Sequence, residues 1–92
     1  QKPIDKKQQR QQEAALRERL KPLRSTIKKI EQDLSTTQNK LDKIEAQLAD
    51  TEIYTDENKS QLQKLLKQQG EYQSHIQQLE ADWEVYYEQL EA

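Results

Sequence analysis

Ten cations crowd the first 30 residues: Lys2, Lys6, Lys7, Arg10, Arg17, Arg19, Lys21, Arg24, Lys28 and Lys29. Ammonium and guanidinium groups at this density suit a phosphate backbone, whose counter-ions they displace. The simpler reading of the same residues is a solvated helix face, partly neutralised by acids elsewhere in the chain. The end carrying Lys2, Lys6, Lys7 and Arg10 is expected to escape that neutralisation and to make the nucleic-acid contact. No catalytic constellation competes with this patch. There is no Cys, no glycine-rich phosphate loop and no nucleophile beside a base. His75 is the only histidine, and a surface pair with a carboxylate explains it better than catalysis or ligation does. Trp83, Tyr86 and Tyr87 recur at helical spacing and read as seam packing, with Tyr87 the most open to a partner. No catalytic, cofactor or metal residue is expected.

The cations are positioned by a long amphipathic arm. Leu16, Leu20, Leu23, Ile27, Ile30, Leu34, Thr37, Leu41, Ile44 and Leu48 follow one another in alternating steps of four and three. This is a heptad repeat, with Leu20, Ile27, Leu34, Leu41 and Leu48 at a and the others at d. Thr37 is its one polar member. A second repeat runs Leu62, Leu65, Gln69, Tyr72, Ile76, Leu79, Trp83, Tyr86 and Leu90, with Leu62 at a and Gln69 its polar member. Gly70 beside Gln69 marks a soft spot. The fold class is therefore all-α: an antiparallel two-helix coiled-coil hairpin. Residues 1–15 form a linker or helical extension, 16–49 the first helix, 50–57 the tip and 58–92 the second helix, all in one domain.

Pro22 falls at c, on the outer face. It removes a helix hydrogen bond and crowds the carbonyl of Glu18. A kink near Pro22, or a short break over Arg19–Lys21, is expected because the seam keeps phase across it. The alternative makes Pro22 the first residue of the helix proper. At the tip, Asp50–Tyr54 suits a short helical turn, and Thr55 or Asp56 suits an N-cap for the second helix. Ile53 and Tyr54 lie out of phase with both seams and are expected to cover the open end.

An antiparallel pairing places a opposite d. With paired numbers summing to 106, Thr37 meets Gln69, Leu20 meets Tyr86 and Leu23 meets Trp83. Asp33 then neighbours His75, and Arg24 neighbours Glu80. The next register, summing to 113, buries each polar residue against an apolar one and brings Glu31 near Glu80 and Asp33 near Asp82. Polar pairing and charge both favour the first.

Composition agrees. Of 92 residues, 32% are hydrophobic and 35% charged, with one Gly and two Pro, a coiled-coil rather than a globular profile. The length suits one domain or a fragment of a longer protein. Net charge is −2, but it comes in blocks: +7 over residues 1–30, −6 over 31–58, +3 over 59–70 and −6 over 71–92. The basic first arm thus lies along the acidic end of the second. No apolar run approaches membrane-spanning length, and the absence of Cys fits a reducing compartment.

Four stretches carry a resemblance: K-K-Q-Q-R-Q-Q-E-A-A-L-R, K-P-L-R-S-T-I, I-E-A-Q-L-A-D-T-E-I-Y and A-D-W-E-V-Y-Y-E-Q-L-E. Together they resemble the C-terminal coiled-coil domain of ABC-F ATPases of the Uup/YheS type, over nearly the whole chain and in order. The L-A-D-x-E-I-Y tip and the terminal W-E are the most specific parts. The resemblance implies a cytoplasmic parent with two ATP-binding cassettes and no membrane domain, acting as a translation factor on the ribosome or with DNA. ATP and Mg would belong to that parent and not to this segment, which would be non-catalytic. The expected partners are DNA or ribosomal RNA, with no membrane. A protein-interaction or regulatory coiled coil packing on its own ATPase cassettes is the alternative. The acidic final third departs from a uniformly basic nucleic-acid binder.

Overall fold

Two long helices turn back on one another in the computed structural model, which describes residues 6–91. Helix α1 runs Lys6–Leu48 and helix α2 runs Lys59–Glu91. At 1.5 Å per residue, the 43 residues of α1 make a rod of about 65 Å. The described residues contain no strand. The expected all-α hairpin is the fold of the chain.

The heptad positions explain the burial. Ile27, Ile30, Thr37, Leu41, Ile44, Leu65 and Leu79 are buried, and every one of them is an a or d residue. Leu65 is covered most completely, at 2% exposure. No deep core exists, so stability comes from this single seam. A fully buried Leu or Ile contributes roughly 1.5–3 kcal/mol before entropy is counted. Cover thins toward the end of the hairpin opposite the tip, here called the root. Leu23 and Leu20 are half-buried, and Leu16 is 46% exposed.

Contacts across the seam do not single out the 106 alignment: Tyr86 with Leu20 sums to 106, but Trp83 with Glu31 sums to 114, beside the 113 alignment. Tyr86 and Gln89 line a groove together with Leu16, Leu20 and Leu23, where the 106 alignment sets Tyr86 opposite Leu20. The Trp83 indole Nε1 donates to the Glu31 carboxylate at 3.3 Å. In the 106 alignment these two residues would stand eight residues, about 12 Å, apart along the axis, whereas in the 113 alignment they stand nearly opposite.

Pro22 does not interrupt α1, which is continuous from Lys6 to Leu48. The expected break at Arg19–Lys21 is absent, and Pro22 does not begin a helix. The reason is its exposure at c: water reaches the Glu18 carbonyl that loses its donor. The Pro22 carbonyl also accepts a bond from Thr26 Oγ1 at 2.9 Å. Residues 6–15 belong to the same helix.

The tip consists of two 3₁₀ turns, Thr51–Tyr54 and Asp56–Asn58. Asp50 caps the first, its carboxylate accepting from the Glu52 amide at 3.0 Å. The expected caps for α2 do not form. Thr55 Oγ1 instead donates back to the Glu52 carbonyl, as does Asn58 Nδ2, each at 3.0 Å. These bonds hold the turn, so α2 starts behind a preordered segment rather than a capping hydroxyl. Ile53 is half-buried. Tyr54 does not cover the seam as expected: it is 60% exposed, and its hydroxyl donates to the Leu48 carbonyl at 2.7 Å. That bond satisfies one of the carbonyls left unpaired at the end of α1.

Candidate nucleic-acid interface

The continuous helix sorts the cations by heptad position. Lys7, Arg10, Arg17, Lys21, Arg24 and Lys28 fall at b or e, along one flank of α1, and all are exposed. Their spacing of three, four or seven residues makes a ladder. From Arg10 to Lys28 it runs about 27 Å, with Ala14 the one uncharged rung. Lys6 lies at the outer end of the same helix. Arg19 falls at g, on the opposite flank, and Lys29 at c, on the outer face. Both are exposed. Lys2 lies outside the described residues.

Ion pairing leaves this ladder largely open from Arg10 to Lys28. Arg17 pairs with Glu13 on its own helix at 4.0 Å, both side chains well exposed, a contact worth little in water. Among the described residues, no carboxylate lies within ion-pair distance of Arg10, Lys21, Arg24 or Lys28. The neighbourly pairs read from the register, Arg24 with Glu80 and Asp33 with His75, form no ion pair. Side chains at e and g of an exposed two-helix seam gain little from pairing and lose rotamer freedom when they do. The neutralisation expected of the acidic arm is therefore a matter of field rather than of contact.

The two flanks of the pair differ. At g, Thr26, Gln68 and Asp82 are half-buried, while the e residues Arg24, Glu31, Leu66, Gln73, Glu80 and Tyr87 are exposed. The cation ladder thus occupies the more open flank. On the same flank Tyr87 stacks on Trp83, with ring centroids 4.7 Å apart and planes 16° from parallel. Glu80, Glu84, Leu34 and Trp83 line a small concavity there. The cross-helix bond from Trp83 to Glu31 was missed from sequence, because nothing in a heptad pattern says which carboxylate an indole will reach.

Among the described residues, no group of three or more His, Cys, Asp or Glu side chains is poised to hold a metal ion. No helix among them is long and apolar enough to cross a membrane.

Fold and flank together define a class: a helical hairpin with a one-sided ladder of cations. Comparison with known protein families, with characterised proteins and with solved structures gives no match.

Proposed function

We propose that the hairpin is a non-catalytic arm that contacts nucleic acid, DNA or ribosomal RNA, through the cation ladder of α1. The observation that carries this reading is the one-sidedness of Arg10, Arg17, Lys21, Arg24 and Lys28 on a single exposed flank without cross-helix ion pairs. A solvated helix needs cations for solubility, but it does not need them in register. A ladder in register presents several ammonium and guanidinium groups to one phosphate strand at once. The acids Glu80, Glu84 and Glu91 on α2 direct the approach to the α1 edge by repelling phosphate from the other.

The parent on this reading is an ABC-F ATPase of the Uup/YheS type, cytoplasmic and ribosome-associated, with ATP and Mg bound in cassettes outside this segment. The resemblance of the tip and of the A-D-W-E-V-Y-Y-E-Q-L-E run supports it, and the hairpin architecture is compatible with it.

The test is a binding titration with duplex DNA and with structured RNA. Replacing Lys21, Arg24 and Lys28 together by Gln is expected to weaken binding at least about tenfold, each lost phosphate contact being charge-assisted. Replacing Lys64 and Lys67 of α2 serves as the control and is expected to change little. Equal losses from both sets would point to unspecific charge attraction and refute the ladder.

A further inference from the structure

We infer that the open flank takes nucleic acid as a single strand, with phosphates on the cation ladder of α1 and one unpaired base stacked on Tyr87 of α2. This rests on the reading of the ladder as the phosphate contact, and it names the class of strand that the contact takes. Tyr87 sits at e, on the flank that carries Arg10, Arg17 and Arg24. It is 38% exposed, although one face of its ring lies against Trp83. Covering the seam does not call for an aromatic ring at this position. The e positions one and two heptads earlier are Glu80 and Gln73, and both are exposed. A ring held flat against an indole is a stiff, preordered platform, and every base has a face that can lie on it.

The ring stands beside the ladder whichever alignment the seam takes. Tyr87 is level with residue 19 when paired numbers sum to 106, and with residue 26 when they sum to 113. Both levels fall between Arg17 and Lys28. Helix axes in such a pair lie about 10 Å apart, a gap that one nucleotide bridges from its phosphate to its base.

The carboxylates of α2 suit this arrangement as well. Glu80 and Glu84 line the concavity that Trp83 and Leu34 share. They repel phosphate, which keeps the backbone on α1, and they accept from the exocyclic amino groups that bases carry. A flank with cations along one edge, and an aromatic ring among carboxylates along the other, sorts phosphate from base. A duplex presents its phosphates outside and keeps its base faces stacked within. It therefore reaches the ladder but not Tyr87.

Three DNA probes test this on the 92-residue chain: a mixed-sequence single strand, its duplex, and an abasic strand with the same number of phosphates. The single strand is expected to bind at least about fivefold more tightly than the abasic strand, the lower end of what stacking one base contributes. Tyr87→Ala is expected to abolish that difference and to leave binding of the duplex and the abasic strand unchanged. Tyr87→Phe is expected to keep the difference, because the ring remains. Equal affinity of the wild-type chain for the base-bearing and abasic strands would overturn the stacking and leave the ladder standing. So would a Tyr87→Ala variant that loses affinity for all three probes alike, since that is the mark of lost packing. Absence of binding to any of the three would overturn the ladder, and the stacking with it.

Discussion

The Trp83 indole donates to the Glu31 carboxylate at 3.3 Å, joining residues 52 apart in sequence across the seam. The bond ties the acidic arm to the basic one just above the last rung of the cation ladder, Lys28. Trp83 is half-buried and carries Tyr87 stacked on its outer side. Trp83→Ala is expected to cost about 2 kcal/mol, less than a fully buried Trp would. Glu31→Ala is expected to cost about 0.5–1 kcal/mol. Urea unfolding followed by circular dichroism measures both. A loss from Glu31→Ala that persists in the Trp83→Ala background would show that the two do not act as a pair.

Gly70 and Pro22 are the two helix positions where the chain departs from good helix formers. A methyl group built at Gly70 meets nothing within 4 Å. Gly70→Ala is therefore expected to stabilise the hairpin by about 1 kcal/mol, through helix propensity alone. Pro22→Ala restores a backbone donor inside a helix that is already continuous, and is expected to stabilise by about 1–3 kcal/mol. Lower stability of either variant would mean that the residue holds a bend the fold needs.

Thr37 is the buried polar residue of the seam, at 6% exposure. Thr37→Val keeps its shape and removes the hydroxyl. It is expected to raise stability by about 1 kcal/mol while weakening the preference for the 106 register over the alternative at 113. Crosslinks between engineered Cys pairs whose numbers sum near 106 or near 113 report the register in each variant. A wild-type chain that crosslinks at 113 would refute the alignment.

The tip stands on a few specific bonds. Tyr54→Phe deletes the 2.7 Å bond to the Leu48 carbonyl and is expected to cost about 1 kcal/mol. Asp50→Ala removes the cap on the first 3₁₀ turn and is expected to cost a similar amount. Both are expected to speed amide hydrogen exchange between residues 48 and 59 more than in the middle of the seam. Uniform acceleration along both helices would show that the tip has no stability of its own.

The arms were legible in the sequence because a strict four-three spacing admits one fold. Leu20, Ile27 and Leu34 recur too regularly for a strand or a globular helix. The centre of the tip near Ile53 follows from the same counting. Of the readings of Pro22, the break and the helix start failed because an isolated rule about proline ignores where the ring points. At an exposed c position the lost hydrogen bond is replaced by water, and the helix runs on. The cap at Thr55 was misread because its hydroxyl, like the Asn58 side-chain amide, donates to the Glu52 carbonyl instead. The cations were legible as a cluster, but not as a ladder. Sorting Arg24 to one flank and Arg19 to the other depends on the helix staying in phase through Pro22.

The salt dependence of nucleic-acid binding tests the central claim most directly. A plot of log affinity against log salt has a slope near −0.9 per phosphate neutralised on duplex DNA. Engagement of Arg10, Arg17, Lys21, Arg24 and Lys28 predicts a slope of up to about −4.5. Replacing Lys21, Arg24 and Lys28 by Gln is expected to flatten it by close to three such increments. A slope near zero in the wild-type chain, or one left unchanged by the triple substitution, would contradict the account.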